Sequence, residues 1–279
     1  MAWLEAAFRW THVVAGILWI GHLFFFNFVN AQLAKSYDPD SRKKVVPELM
    51  PRALYWFRWG AVWTWTTGIL MAGLVYWSVD NLVRKDVVTD APALPHVAGV
   101  AISLVLIGGV FFVYDAIMRA WGAKNERGAV GAAFGAFVVL LFLVSRVFTG
   151  RAVFITGGML MGTVMVMNVW MRIWPAQKRI IQGVKGLAPA PDASVPAMAA
   201  MRSKHNTYMA VPLVFAMVSN HYPTIYGWDH SWIILSAILA LGFAVTKLLY
   251  LKSAGPAPAL YGAPAAAPTG TPGVAAPKA

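Results

Sequence analysis

Charged residues break this chain into seven long apolar runs, and that pattern constrains the fold more than any other feature. A helix needs about 20 apolar residues to cross a bilayer. The first run lies between Arg9 and Lys35, and the second between Arg58 and Asp80. The third extends from about His96 to Tyr114 and reaches past Asp115. The fourth lies between Arg127 and Arg146, and the fifth between Arg151 and Arg172. The sixth runs from about Asn206 to Tyr222 and contains Pro212; the seventh runs from about Ser231 to Leu251. The pattern predicts an all-α bundle of seven transmembrane helices. Buried helices of a soluble bundle are the competing reading, and composition decides against it. Apolar residues make up 59% of the chain and charged residues 12%, against roughly 45–50% and about 25% in soluble domains. A soluble enzyme and a disordered chain are both excluded. Thirteen Trp and nine Tyr suit two interfacial belts.

The first run opens with acidic Glu5, is too long for the apolar core of a leader, and has no small-x-small site before Lys35. It is expected to stay in the mature protein. With no cysteine, the chain has no disulfide framework, no thiolate-held zinc or iron–sulfur cluster, no thiol nucleophile and no covalently attached haem.

Lysine and arginine collect on one side of these runs. The loops after the first, third and fifth runs hold Lys35, Arg42, Lys43, Lys44, Arg52 and Arg58; Arg119, Lys124 and Arg127; and Arg172, Lys178, Arg179, Lys185, Arg202 and Lys204. With Lys247, Lys252 and Lys278, this side carries 18 of the 23 cations. Arg9, Arg84, Lys85, Arg146 and Arg151 make up the other side. The positive-inside rule then places the N-terminus outside and the C-terminus in the cytoplasm of a bacterial inner membrane. The +12 charge is accounted for by topology and by attraction to anionic membrane lipids, so no nucleic-acid partner is expected. Residues 1–252 read as one membrane domain, and 253–279 as an Ala/Pro/Gly-rich disordered tail. Gly131 with Gly135, and Gly158 with Gly162, are spaced to let helices approach closely.

Ionisable residues within membrane spans are costly, so each is a functional candidate. One layer holds Arg9, His12, His96, Arg146, Asn220, His221 and His230; the other holds His22, Arg58, Asp115, Arg119, Asn168, His205 and Asn206. Arg9, His12, Gly16 and Trp19 share one helical face. Imidazoles at such depth can ligate b-type haem, act as acid or base on a substrate, or simply hydrogen-bond to a neighbouring helix. His12 and His221 stand out, since each lies inside a run beside a polar neighbour. Asp115 and Arg119 are spaced as an ordinary helical ion pair. Trp56, Trp59 and Trp63 form a stripe suited to packing or the membrane interface.

Three stretches resemble the N-terminal membrane domain of the bacterial cytochrome-c-dependent urate oxidases. They are Arg9-Trp10-Thr11-His12 leading to Gly16-Ile17-Leu18-Trp19-Ile20-Gly21; Gly162-Thr163-Val164-Met165 through Asn168-Val169 to Pro175-Ala176-Gln177-Lys178; and Arg202-Ser203-Lys204-His205-Asn206-Thr207-Tyr208 with Pro212 and Ser219-Asn220-His221-Tyr222-Pro223. The resemblance covers roughly residues 3–250. It implies a helical inner-membrane domain that oxidises urate at carbon 5 and passes electrons to a cytochrome c. Two departures accompany it. Thr156 stands where members carry a histidine, and this sequence is expected to carry no cytochrome c of its own, having no cysteine. The expected chemistry is deprotonation of urate by His221 or His12, with Asn220, Arg146 or Arg9 stabilising the anion and an external acceptor taking the electrons. His12, His221 and His205 are the candidate haem ligands, with the iron held by His12 and His221. Asn206, Asn168 and Trp19 complete the motif. A b-haem or accessory subunit of a respiratory complex, and a small-anion transporter, are the alternative readings.

Overall fold

The computed structural model describes residues 2–255, and among these the chain is helical apart from its turns and two isolated bridges. Seven long helices follow one another: α1 Ala2–Leu33, α2 Pro39–Ala72, α3 His96–Gly122, α4 Glu126–Ser145, α5 Gly150–Val184, α6 Ser194–Val218 and α7 Ser231–Ser253. Their starts are written locally. Asp38 accepts from the N–H groups of Asp40 and Ser41 ahead of α2, with Pro39 in its first turn. Asn125 caps α4 and Thr149 caps α5 in the same way. Wide π-type turns interrupt or extend four helices at Phe25–Asn30, Gly73–Trp77, Met118–Gly122 and Val169–Ile173.

Five of the seven, α1, α3, α4, α5 and α7, are both long and apolar enough to cross a membrane. The other two have the length and lack the apolarity. The second half of α2 is rich in Trp, Thr and Gly, while α6 carries Arg202, Lys204, His205 and Asn206. The expectation from the bilayer as solvent is met on the exterior, where large apolar side chains such as Ile17, Val105, Leu143 and Leu248 are exposed.

Helix α5 is the axis of the bundle. Of its most apolar stretch 78% is buried, against 22% in each of the other four apolar helices. Helix α1 packs along α2, α6 lies along α5, and α7 lies along α6. The α1–α2 contact is close because position 60 is glycine: a Cβ there would stand 3.1 Å from the Trp19 backbone nitrogen and 3.2 Å from the Ala15 carbonyl. Of the two expected glycine pairs, one packs a helix. Gly158 and Gly162 face Met217, Ala216 and Leu213 of α6, whereas Gly131 and Gly135 have nothing within 4 Å of a built Cβ. Residues 256–279, most of the expected tail, lie outside the described residues.

Candidate functional site

A cavity of about 280 Å³ opens between α1, α2, α5 and α6 at one end of the bundle. Arg9, His12 and Trp19 reach it from α1, as their shared face required. Tyr76 reaches it from the wide turn after α2, Arg151 from the first turn of α5, and Asn220 and His221 from the short 3-10 segment that ends α6. The remaining wall is apolar and includes Ile69, Val75, Met159, Leu213 and Met217.

The hydroxyl proton of Thr67 fixes the state of His12. The Thr67 hydroxyl lies 2.6 Å from the Trp63 carbonyl and 3.1 Å from that of Thr64, and both can only accept. Its oxygen therefore accepts from His12 Nδ1–H at 3.2 Å. That leaves the Nε2 lone pair of His12 free for a ligand. Gly68 lets the imidazole lie against α2, since a Cβ there would stand 3.1 Å from His12 Cε1.

Asn220 is the hub of the opposite wall. Its Oδ1 accepts from Arg151 Nε at 2.8 Å and from the Tyr76 hydroxyl at 3.1 Å. Arg151 is half-buried and has no carboxylate partner among the described residues. Arg9 is exposed and paired with Glu5 at 2.5 Å. His221 lines the mouth and is exposed. Trp19 is buried, and its indole N–H has no partner. A buried donor left unpaired beside the cavity is a point at which an entering acceptor would bond. A second cavity of about 350 Å³ adjoins this end, lined by Arg84, Lys85 and Asp229 and sharing Arg151 with the first.

Not every candidate residue gathers here. Arg146 is exposed and does not line the cavity; Arg151, five positions on, takes the place expected of it. His96 bonds the Trp77 carbonyl at 3.0 Å, His22 bonds the Leu18 carbonyl at 2.7 Å, and His230 stacks edge-on with Trp228. Thr156 is buried in α5 but is not among the cavity's lining residues. Asn168, His205 and Asn206 lie at the other end of the bundle. There Asn168 donates to Asn206 at 2.8 Å, and Asn206 donates to the Met165 carbonyl at 2.9 Å. His205 has both ring nitrogens engaged, with the Tyr114 hydroxyl at 2.8 Å and Glu126 at 3.1 Å, so neither is open to a metal.

The same end holds a buried charge cluster. Asp115 accepts from Arg172 through both carboxylate oxygens and from Arg202 at 2.7 Å. The helical neighbour Arg119 is the minor partner at 3.4 Å. The expected Asp115–Arg119 pair is thus one arm of a three-arginine clamp that joins α3, α5 and α6.

His12 and His221 are the donor set a bis-histidine haem would use. A cavity of about 280 Å³ is at the small end of ligand sites, however, and matches a compact ring better than a macrocycle. Among the described residues there is no cluster of three or more His, Cys, Asp or Glu able to hold a metal ion.

Apolar helices around a largely apolar cavity that carries arginine and imidazole groups define a helical-bundle membrane protein with a pocket between its helices. The model of the urate oxidase N-terminal family matches residues 1–44 and 37–269, nearly the whole sequence, and the chain belongs to that family. No curated protein and no solved structure matches it.

Proposed function

We propose that this protein is a membrane oxidoreductase of the urate oxidase kind, binding urate or a similar flat anion in the cavity and passing electrons to a separate cytochrome c. The observation that carries the reading is the convergence of Arg9, His12, Trp19, Arg151, Asn220 and His221 on one small cavity. Arg151 supplies charge without a competing carboxylate. His12, through its free Nε2, is the leading base, and His221 at the mouth is the second candidate. Arg151, Asn220 and the Trp19 N–H are suited to stabilise the anion left by proton loss. Loss of the proton to the base, two one-electron transfers to a c-type cytochrome and addition of water at carbon 5 would complete the oxidation.

The orientation belongs to the same proposal. Seven spans with the N-terminus outside put the cavity on the periplasmic side of a bacterial inner membrane, where a c-type cytochrome is accessible. Residues 1–252 form the membrane domain, and the tail lies in the cytoplasm.

The test is urate-dependent reduction of added cytochrome c by membranes containing the protein. His12→Ala should lower the rate by about 10²–10⁴ if His12 is the base. Urate binding without reduction would point to a sensor or transporter. Absence of both binding and reduction would overturn the reading.

A further inference from the structure

The Pro175-Ala176-Gln177-Lys178 motif and the tryptophan stripe of α2 have no part in the cavity. They meet at the opposite end of the bundle, around Trp174. The Arg58 guanidinium carbon stands 4.0 Å from the centre of the Trp174 ring, and Lys178 Nζ stands 5.4 Å from the same centre. Tyr55 and Trp170 flank Arg58 at 5.6 and 6.0 Å. The Trp170 indole donates to the Arg58 carbonyl at 3.2 Å, tying α5 to α2 at this level.

Stacking engages the face of a guanidinium and leaves its in-plane N–H groups unused. Here they find no acceptor: Arg58 Nε is buried without a hydrogen-bond partner. Neither Arg58 nor Lys178 enters an ion pair among the described residues, although Arg52 and Arg172 nearby are both paired. Two uncompensated cations therefore share one indole. The apolar surface beside them is outward-facing and aromatic, with Tyr55, Trp56 and Trp59 exposed. A phosphate would satisfy the two cations, and acyl chains would cover the aromatic face.

We propose that Arg58, Trp174 and Lys178 form a binding site for the phosphate of an anionic phospholipid headgroup. The orientation proposed above places it in the cytoplasmic leaflet, where anionic lipids concentrate. The site rests on that reading for its leaflet alone. The chemistry also suits free phosphate, and the aromatic wall is what favours the lipid.

The experiment uses the full chain in detergent, where no leaflet exists and orientation plays no part. Phosphatidylglycerol, phosphatidylcholine and inorganic phosphate are titrated in turn, with bound lipid counted by native mass spectrometry. A partly exposed ion pair to the lipid phosphate contributes up to about fivefold in affinity. Arg58→Gln/Lys178→Gln should therefore weaken phosphatidylglycerol binding by up to about 25-fold. Arg42→Gln/Lys43→Gln removes the same charge from the start of α2 and should leave binding within about twofold. The charge-conserving Arg58→Lys/Lys178→Arg keeps both cations but not the stacked guanidinium at position 58, and should weaken binding by no more than about fivefold, which separates loss of charge from misfolding. Equal binding by the wild type and the Arg58→Gln/Lys178→Gln variant overturns the proposal. So does equal weakening in the control variant, or displacement of the lipid by millimolar inorganic phosphate.

Discussion

Asp115→Asn tests the clamp at the end opposite the cavity. The substitution keeps the shape of the side chain and removes the one carboxylate that three arginines share. Arg202 is 1% exposed and Arg172 27%, so water can compensate the second only in part and the first not at all. Breaking a buried pair by deleting one partner costs about 3–5 kcal/mol. The Arg119 arm, 68% exposed at 3.4 Å, adds no more than about 1 kcal/mol. At roughly 2–4 °C per kcal/mol for a chain of this size, the melting temperature should fall by about 6–20 °C. The assay is tryptophan fluorescence on heating, in mild detergent, with the soluble fraction checked by gel filtration. Arg119→Gln should cost less than about 4 °C on the same scale. Asp115→Asn/Arg202→Met removes the orphaned charge with its partner and should recover at least half of the loss. A melting temperature for Asp115→Asn within about 2 °C of wild type would refute the reasoning, as would a double variant less stable than the single.

Three further outcomes are expected. Thr67→Val removes the acceptor that sets the His12 tautomer and should lower the urate-dependent rate by about two- to tenfold; Thr67→Ser should leave the rate near wild type. Arg151→Gln should lower kcat as well as raise the KM for urate, and its effect should shrink with added salt, as read from initial rates of cytochrome c reduction. At the start of α2, hydrogen bonds from the side chain and N–H of Ser41 hold the Asp38 carboxyl below the usual carboxylate range. This cap is complete above the ordinary carboxylate pKa and is lost as pH falls through the lowered value. Asp38→Ala should therefore raise amide exchange in the first turn of α2 at neutral pH and make little difference in strong acid.

The helices were readable because long apolar runs need a helix to satisfy their backbone in lipid: seven long helices overlap the seven runs, though α2, α5 and α6 continue through the charges that bounded theirs and five of the seven are apolar enough to cross a membrane. Arg9, His12, Asn220 and His221 were readable for the same reason: each is a polar group where lipid would penalise it. Arg146 and Arg151 flank one short turn, and only the start of the helix separates their roles. Thr149 caps α5, so Arg151 falls in its first turn and points to Asn220 and Tyr76, while Arg146 ends α4 and faces out. The Thr149-Gly150-Arg151 sequence held that signal. Tyr76 and Thr67 carried none, being an aromatic among many aromatics and a threonine among many threonines. The partners of Asp115 lie 57 and 87 positions away. Local spacing offered only Arg119, because an ion pair between helices leaves no periodic trace.

The burial of Arg202 also sets an order in time. On the seven-span reading, synthesis delivers α3 with Asp115, then α5 with Asn168 and Arg172, and only afterwards α6. Arg202 lies in the first half of α6, ahead of the sixth apolar run, so its cost in lipid is below the roughly 2.5–3.5 kcal/mol of an arginine at a helix centre, but α6 carries His205 and Asn206 besides. Entering lipid alone, it would have no counter-charge and no hydrogen-bond partners for them. Entering after α3 and α5, it finds Asp115, Asn168 and the Met165 carbonyl already in place. The least apolar of the late helices is thus solvated by protein that arrived before it. A chain split in the loop 185–193 should assemble when the N-terminal piece is made first; in the C-terminal piece made alone, α7 should still insert and α6 should be left outside the bilayer.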